Sequence, residues 1–334
     1  MSYITLAHGN GGRLMRELID EVFAPPLNSP LLDTGADAVA LPIDTANHEI
    51  MLTTDGFTVS PLEFPGGDIG SLAVNGTVND LAVAGATPLY LSLAVIIEEG
   101  FALETLRRIV QSIANAAAAA GVQVVCGDTK VVPRGQGGGI YITTTGIGQR
   151  SASLAPAIHN IRDGDAILVS GPVGDHGIAV MLAREQFGLR GDVRSDCRSV
   201  LTLAQALLPL FGLRFMRDPT RGGLATVLNE ISLATGFGAV IDESAVPVRE
   251  SVRSVCEILG YDPLYLACEG QIVAVVAPES ATEALRIWRS TDRGHDARII
   301  GRVTSAHRQV IQTTGIGGQR VIEELEDDPL PRIC

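Results

Sequence analysis

Apolar runs of strand length alternate with helical stretches along the chain, and this alternation limits the fold more than any other feature. A glycine-rich loop, His8-Gly9-Asn10-Gly11-Gly12-Arg13, leads into a helix expected from Gly12 to Val22. Strands are expected at Ala38–Ile43, Ile50–Thr54 and Leu89–Ile97, with a helix over Leu72–Ala84 between the second and third. A helix over Leu103–Ala120 stops at Gly121, a residue suited to a left-handed C-cap. Val122–Cys126 reads as a buried strand that takes Cys126 into the core, and Gly139–Gly146 reads as a further strand. The polar stretch over 150–164, with Pro156 and Asp163-Gly164, marks a boundary. Beyond it the alternation resumes: strand Ala166–Ser170, helix His176–Phe187, a helical region reaching Leu213, helix Leu224–Ala234, strand Gln271–Ala277, helix Ala281–Trp288 and strand Arg298–Val303.

At 334 residues the chain is long for one domain, so two layered α/β or α+β domains are expected. Hydrophobic residues make up 46% but aromatics only 4%, so aliphatic side chains must fill the interior. The formal net charge of −13 argues against nucleic acid or an anionic membrane as the main partner, since both call for a basic footprint. The first eight residues have neither a basic nor an apolar segment, so no secretory signal is expected. Five widely spaced cysteines without a C-x-x-C pair speak against a zinc knuckle or disulfide framework and for a reducing cytoplasm.

Five aspartates stand at strand ends or in turns: Asp37, Asp55 in Thr-Thr-Asp-Gly, Asp80 in Val-Asn-Asp-Leu, Asp128 in Cys-Gly-Asp-Thr-Lys, and Asp218 before Pro219. Each alone reads as a turn or capping residue. Together they point to a magnesium–phosphate site, because Mg²⁺ takes oxygen ligands from few carboxylates and bridges to phosphate. The loops His8–Gly12, with Gly11 and Gly12, and Arg221-Gly222-Gly223 precede helices and could offer N–H groups to a phosphate, although neither is a Walker motif and each alone reads as an ordinary turn. Lys130 and Glu269 are the acid–base candidates, Glu269 because it directly precedes an apolar strand. His176 reads as a helix-start residue. The chain ends in Cys334 after an acidic run and two prolines; this reads either as an inert, frayed terminus or as a thiol carried like cargo on a stiffened arm.

In order, these segments resemble the PurM-like, AIR synthase-related superfamily of ATP-dependent enzymes, and within it the HypE family of hydrogenase maturation factors. The segments are His8–Gly12, Thr53–Gly56, Phe64–Gly70, Gly76–Ala82, Gly127–Lys130, Arg217–Gly223 and the terminal Pro331-Arg332-Ile333-Cys334. The resemblance implies an α+β, PurM-like fold with an ATP-binding and dimerising domain over 1–155, a second domain over 156–310, and a segment over 311–334 carrying Cys334. It implies a homodimer whose N-terminal halves form a β-barrel, and ATP with Mg²⁺ bound between the domains. Asp37, Asp55, Asp80 and Asp218 would be metal and phosphate ligands, with Asp128 in the same polar cluster.

The implied activity is ATP-dependent dehydration of S-carbamoylated Cys334 to a thiocyanate, with Glu269 as base and Lys130 holding charge or shuttling the proton. The implied partners are the carbamoyltransferase HypF and the cyanide-accepting HypC–HypD complex. Asn75 departs from the pattern, standing where many relatives have Cys. A selenophosphate synthetase-like enzyme and a non-catalytic carrier of a group on Cys334 are the alternatives.

Overall fold

Two sheets of different character divide the work of burial in the computed structural model, which describes residues 3–9, 13–31, 43, 48–151, 156–184 and 191–324. Gly11, Gly12, Asp37 and Cys334 lie outside the described residues, as does the strand expected over Ala38–Ile43 except for Ile43. The first sheet has four strands, β1 (His48–Phe57), β2 (Thr87–Glu98), β3 (Gln123–Val132) and β4 (Ile140–Ser151), in the order β1-β4-β2-β3. The β2–β3 pair is parallel, as a crossover through a helix demands, and the other pairs are antiparallel. Helices α1 (Ile69–Val83) and α2 (Leu103–Ala120) cover one face. Leu91, Leu93 and Val95 of β2 meet Val74, Val78, Ile109 and Ile113 in that core.

Helix α1 is buried on nearly every side, which its apolar circumference explains. Its start is set by Asp68, whose Oδ1 accepts the Gly70 and Ser71 N–H groups at 2.7 and 3.0 Å while Ser71 Oγ accepts the Asp68 N–H at 3.0 Å. Gly121 closes α2 as expected, with φ 71° and its N–H on the last-turn carbonyls.

The second sheet has seven strands: β5 (Ala166–Val169), β6 (Leu213–Arg217), β7 (Gly238–Asp242), β8 (Val273–Val276), β9 (Arg298–Thr304), β10 (Val310–Thr313) and β11 (Gln319–Val321), in the order β11-β10-β7-β9-β5-β8-β6. Its central strands are buried on both faces. Ile167, Val169, Val273 and Val275 point into a core under α5 (Gly223–Thr235), while Ala166, Leu168, Ala274 and Val276 point to α4 (Leu201–Leu207) and α7 (Ala281–Arg289). This two-sided burial is why the two strands read as unbroken apolar runs. Trp288, the only tryptophan, is fully buried there and donates Nε1–H to the Leu203 carbonyl at 3.1 Å. Helices α3 (Asp175–Ala183) and α6 (Glu250–Leu259) enclose a smaller cluster.

Several expectations shift. Cys126 is exposed rather than in the core, because a bulge between Val124 and Cys126 turns both Val124 and Val125 inward and pushes Cys126 to the outer face. The expected helix reaching Leu213 is confined to α4 among the described residues, and 191–200 has no regular structure. No helix among the described residues is long and apolar enough to cross a membrane.

The Asp68 cap yields a prediction. Asp68→Ala should lower the unfolding free energy by about 1 kcal/mol in chemical denaturation, and Asp68→Asn by clearly less, since Asn still caps. Equal losses would show that the cap hydrogen bonds do not carry the effect.

Candidate functional site

Where α1 packs against both β1 and β6, the helix, strand β1 and two loops bring four carboxylates together. Thr53 and Asp55 lie two apart on β1 and face α1; Thr53 Oγ donates to Asp80 Oδ2 at 2.9 Å, fixing the last turn of α1 against the strand. Asp55 Oδ1 accepts the N–H of Gly56 at 2.9 Å. Asp218 follows β6, and Glu269 follows Cys268 on the loop before β8. The Cys268 N–H donates to the Pro219 carbonyl at 3.0 Å, which brings these two loops side by side.

The electrostatics report crowding of like charge. Burial raises the Asp80 carboxyl, and Asp55 adds to the rise against the Thr53 hydrogen bond and the Arg217 charge. Burial first and Asp80 second push Asp218 up to about 7. Glu269 is raised well above the usual carboxylate range, first by burial and then by Asp196, Asp218, Asp55 and Asp80. Among the described residues no hydrogen bond reaches the Glu269 carboxyl, leaving it open to accept a proton.

Like charges held near one another favour either a proton or a cation between them. No three His, Cys, Asp or Glu side chains among the described residues are close enough to hold a metal alone. That arrangement fits Mg²⁺ carried in on phosphate, which needs only one or two protein carboxylates, better than a resident metal with an all-protein cage. Arg217 bears on both Asp80 and Asp218 but is exposed and pairs with Glu230 at 3.4 Å.

Not every candidate joins this set. Asp128 and Lys130 are exposed on β3, the opposite edge of the sheet from β1, and face away from α1. Within one chain they do not belong to the Asp55–Asp80–Asp218–Glu269 cluster, because the odd residues Thr129 and Val131 occupy the inner face of that strand. Gly223 (φ 59°) serves packing: a Cβ there would stand 2.5 Å from the Leu266 carbonyl oxygen, and its N–H is used on the Thr220 carbonyl. His176 opens α3 in the core, with Nδ1 2.8 Å from Ser195 Oγ, and burial lowers it to about 3. Asn75 is buried with Nδ2 3.9 Å from Cys197 Sγ, so a thiol from the second half lies beside it. Burial and Glu269 push that thiol far up, which keeps it protonated.

Sequence reasoning missed Asp196 and Asn79. Asp196 sits in the irregular 191–200 stretch, where no motif marks it, yet it is buried and pushed up to about 6 by desolvation.

Comparison with known proteins identifies relatives of the whole chain. Residues 35–149 match the model of the AIR synthase related protein N-terminal domain and residues 162–313 that of its C-terminal domain. The chain is 48% identical over 333 residues to the carbamoyl dehydratase HypE of Cupriavidus necator, covering 99% of this chain and 95% of that protein. The crystal structure of the hydrogenase maturation protein HypE in complex with ATP is similar at a TM-score of 0.93 and 44% identity, covering 99% of each chain. A HypE–HypF complex structure contains a chain similar at a TM-score of 0.81 and 47% identity, with 92% of this chain and 99% of that one covered.

The buried carboxylates give this site a pH signature in the absence of nucleotide and divalent cation. Asp218 loses its proton near 3.8 in the unfolded chain but near 7 in the fold, so between those values the folded state holds more protons and stability falls as pH rises. Asp218→Asn removes the charge. Its stability relative to wild type should rise across that window to a gain on the order of 1 kcal/mol or more above about pH 7. Unfolding curves at several pH values check this; a difference independent of pH would contradict it.

Proposed function

The chain belongs to the HypE carbamoyl dehydratases of the AIR synthase-related family, and we propose that its substrate is its own Cys334, activated by ATP at the carboxylate cluster. It is an ATP-binding enzyme of hydrogenase maturation that dehydrates a thiocarboxamide to a thiocyanate. The cluster of Asp55, Asp80, Asp218 and Glu269 is the observation that carries the assignment of this chemistry to residues.

ATP, when bound, supplies the phosphoryl group that turns the carboxamide oxygen into a leaving group, and Mg²⁺ neutralises the charge on that group. Asp55, Asp80 and Asp218 would hold the metal and its phosphates, with Asp37 assigned to the same role from the sequence alone. Gly11 and Gly12 are assigned to the nucleotide on the same footing. One N–H proton leaves to solvent as the oxygen is phosphorylated, and Glu269 takes the second as the C–O bond breaks and the C≡N bond forms; its raised proton affinity suits a base that must accept a proton from a weak acid. The overall step converts the carboxamide and ATP to the thiocyanate, ADP, phosphate and a proton. Tethering the substrate to the chain replaces binding affinity by effective concentration.

The outer face of the first sheet suits a second copy of the chain. It exposes Ile50, Leu52, Ile96 and Tyr141, with Leu52 69% accessible. Asp128 and Lys130 share that face, so they belong to the homodimer interface rather than to the carboxylate set of their own chain. Lys130 acts there, reaching the reaction only through the second copy. The N-terminal domain over 1–155 would thus dimerise, the second domain over 156–310 would carry Asp218 and Glu269, and 311–334 would present the cysteine. HypF would load the carbamoyl group in the cytoplasm, and a HypC–HypD complex would take the cyanide.

Two outcomes are expected. In intact-mass measurements, the protein carbamoylated at Cys334 loses one water on addition of Mg-ATP, and Glu269→Gln slows that loss about 100-fold or more without preventing carbamoylation. An unchanged adduct with ATP bound would support a carrier instead. In sedimentation, the wild type is dimeric and Leu52→Glu is monomeric; a monomeric wild type or a dimeric variant would contradict the interface.

A further inference from the structure

We propose that Asp196 and Asn79 are positioning residues that hold Glu269 in place beside the other carboxylates, a role that rests on Glu269 being the base. The Asp196 carboxylate reaches across two successive peptide groups: Oδ1 accepts the Glu269 N–H at 3.0 Å and Oδ2 the Gly270 N–H at 3.1 Å. Both oxygens are occupied, and no neutral isostere supplies two acceptors in that position. The return contact comes from the same segment, where the Arg198 N–H donates to the Glu269 carbonyl at 3.2 Å. Gly270 makes the approach possible, since a Cβ there would stand 1.9 Å from the Asp196 carbonyl oxygen and 2.7 Å from Arg198 Cγ.

Asn79 ties this clamp to the other half of the molecule. Its Nδ2 donates to the Arg198 carbonyl at 3.1 Å and the Glu269 carbonyl at 3.4 Å, and its Oδ1 accepts the Val200 N–H at 2.8 Å. It directly precedes Asp80 in α1. One side chain therefore links the helix that carries a phosphate-facing carboxylate to the loop that carries the base. Asn79 is 1% and Asp196 7% exposed, so neither has water as a substitute partner. A carboxylate buried in an irregular stretch is costly, and here both of its oxygens are directed at the base-carrying loop. Displacing a reacting group by about 1 Å can cost on the order of 100-fold in rate, so the clamp is expected to act on turnover rather than on nucleotide binding.

The test is a double-mutant cycle on the full-length protein carbamoylated at Cys334, following water loss by intact mass at varied Mg-ATP. Asp196→Asn should slow dehydration about 10- to 100-fold while the half-saturating ATP concentration changes less than about twofold. Added to Glu269→Gln, it should slow the residual reaction less than about twofold, because its effect passes through the missing base. Equal losses in both backgrounds, a matching rise in the ATP requirement, or a wild-type rate for Asp196→Asn would overturn the clamp. A slow Glu269→Gln beside an unaffected Asp196→Asn refutes the clamp alone. An unaffected Glu269→Gln refutes the base and the clamp together. If Asp196→Asn does not fold, Asn79→Asp enters the same cycle, since it turns the donor facing the Glu269 carbonyl into an acceptor; the same outcomes decide.

Discussion

Helix α1 is the member on which both halves depend, and it can be buried so completely only because its polar groups are answered from outside. Asp68 and Ser71 satisfy its first turn, and the Thr77 hydroxyl meets that of Thr144 on β4. Asn79 is satisfied by the backbone of Arg198, Val200 and Glu269. Its apolar side chains enter two cores: Val74 and Val78 the first, Ala82 and Val83 the one beneath the second sheet. Asp80 therefore leaves the helix at the one place where β1, β6 and the Glu269 loop all come within electrostatic reach.

That placement sets stability against function. Asp80, Asp218 and Glu269 all hold their protons more tightly than free carboxylates, because burial and mutual repulsion oppose ionisation. Neutral residues would be more comfortable at these positions, yet they would attract neither Mg²⁺ nor a proton. A Mg-nucleotide bound at the proposed site would relieve the repulsion, so the ligand that the chemistry requires would also stabilise the folded state. Asp196 extends the logic one layer outward: it adds charge near Glu269 while holding its backbone.

Much of this was legible in the sequence. The strands later found buried on both sides, Ala166–Val169 and Val273–Val276, announced themselves as apolar runs, and α2 was bounded by Gly121. The aspartate motifs pointed to Asp55, Asp80 and Asp218, and the residue before an apolar strand pointed to Glu269. The short strands β6, β7, β10 and β11 were not visible, because three to five residues with mixed polarity leave no period to detect. The inward or outward sense of β3 was also hidden. A single bulge reversed the side of Cys126 and set Asp128 and Lys130 on the outer face. Asp196 was unreadable for a different reason: its importance comes from backbone N–H groups 73 and 74 residues away, which no local pattern encodes.

In the proposed mechanism the carboxylate cluster directs ATP to the carboxamide oxygen of the loaded cysteine. The direct measurement is to load Cys334 with a carbamoyl group labelled in its oxygen with a heavy isotope, add Mg-ATP, and follow the label. The label is expected in inorganic phosphate in step with thiocyanate formation. Label released into water while the phosphate stays unlabelled would show that the oxygen leaves without phosphorylation, and would contradict it.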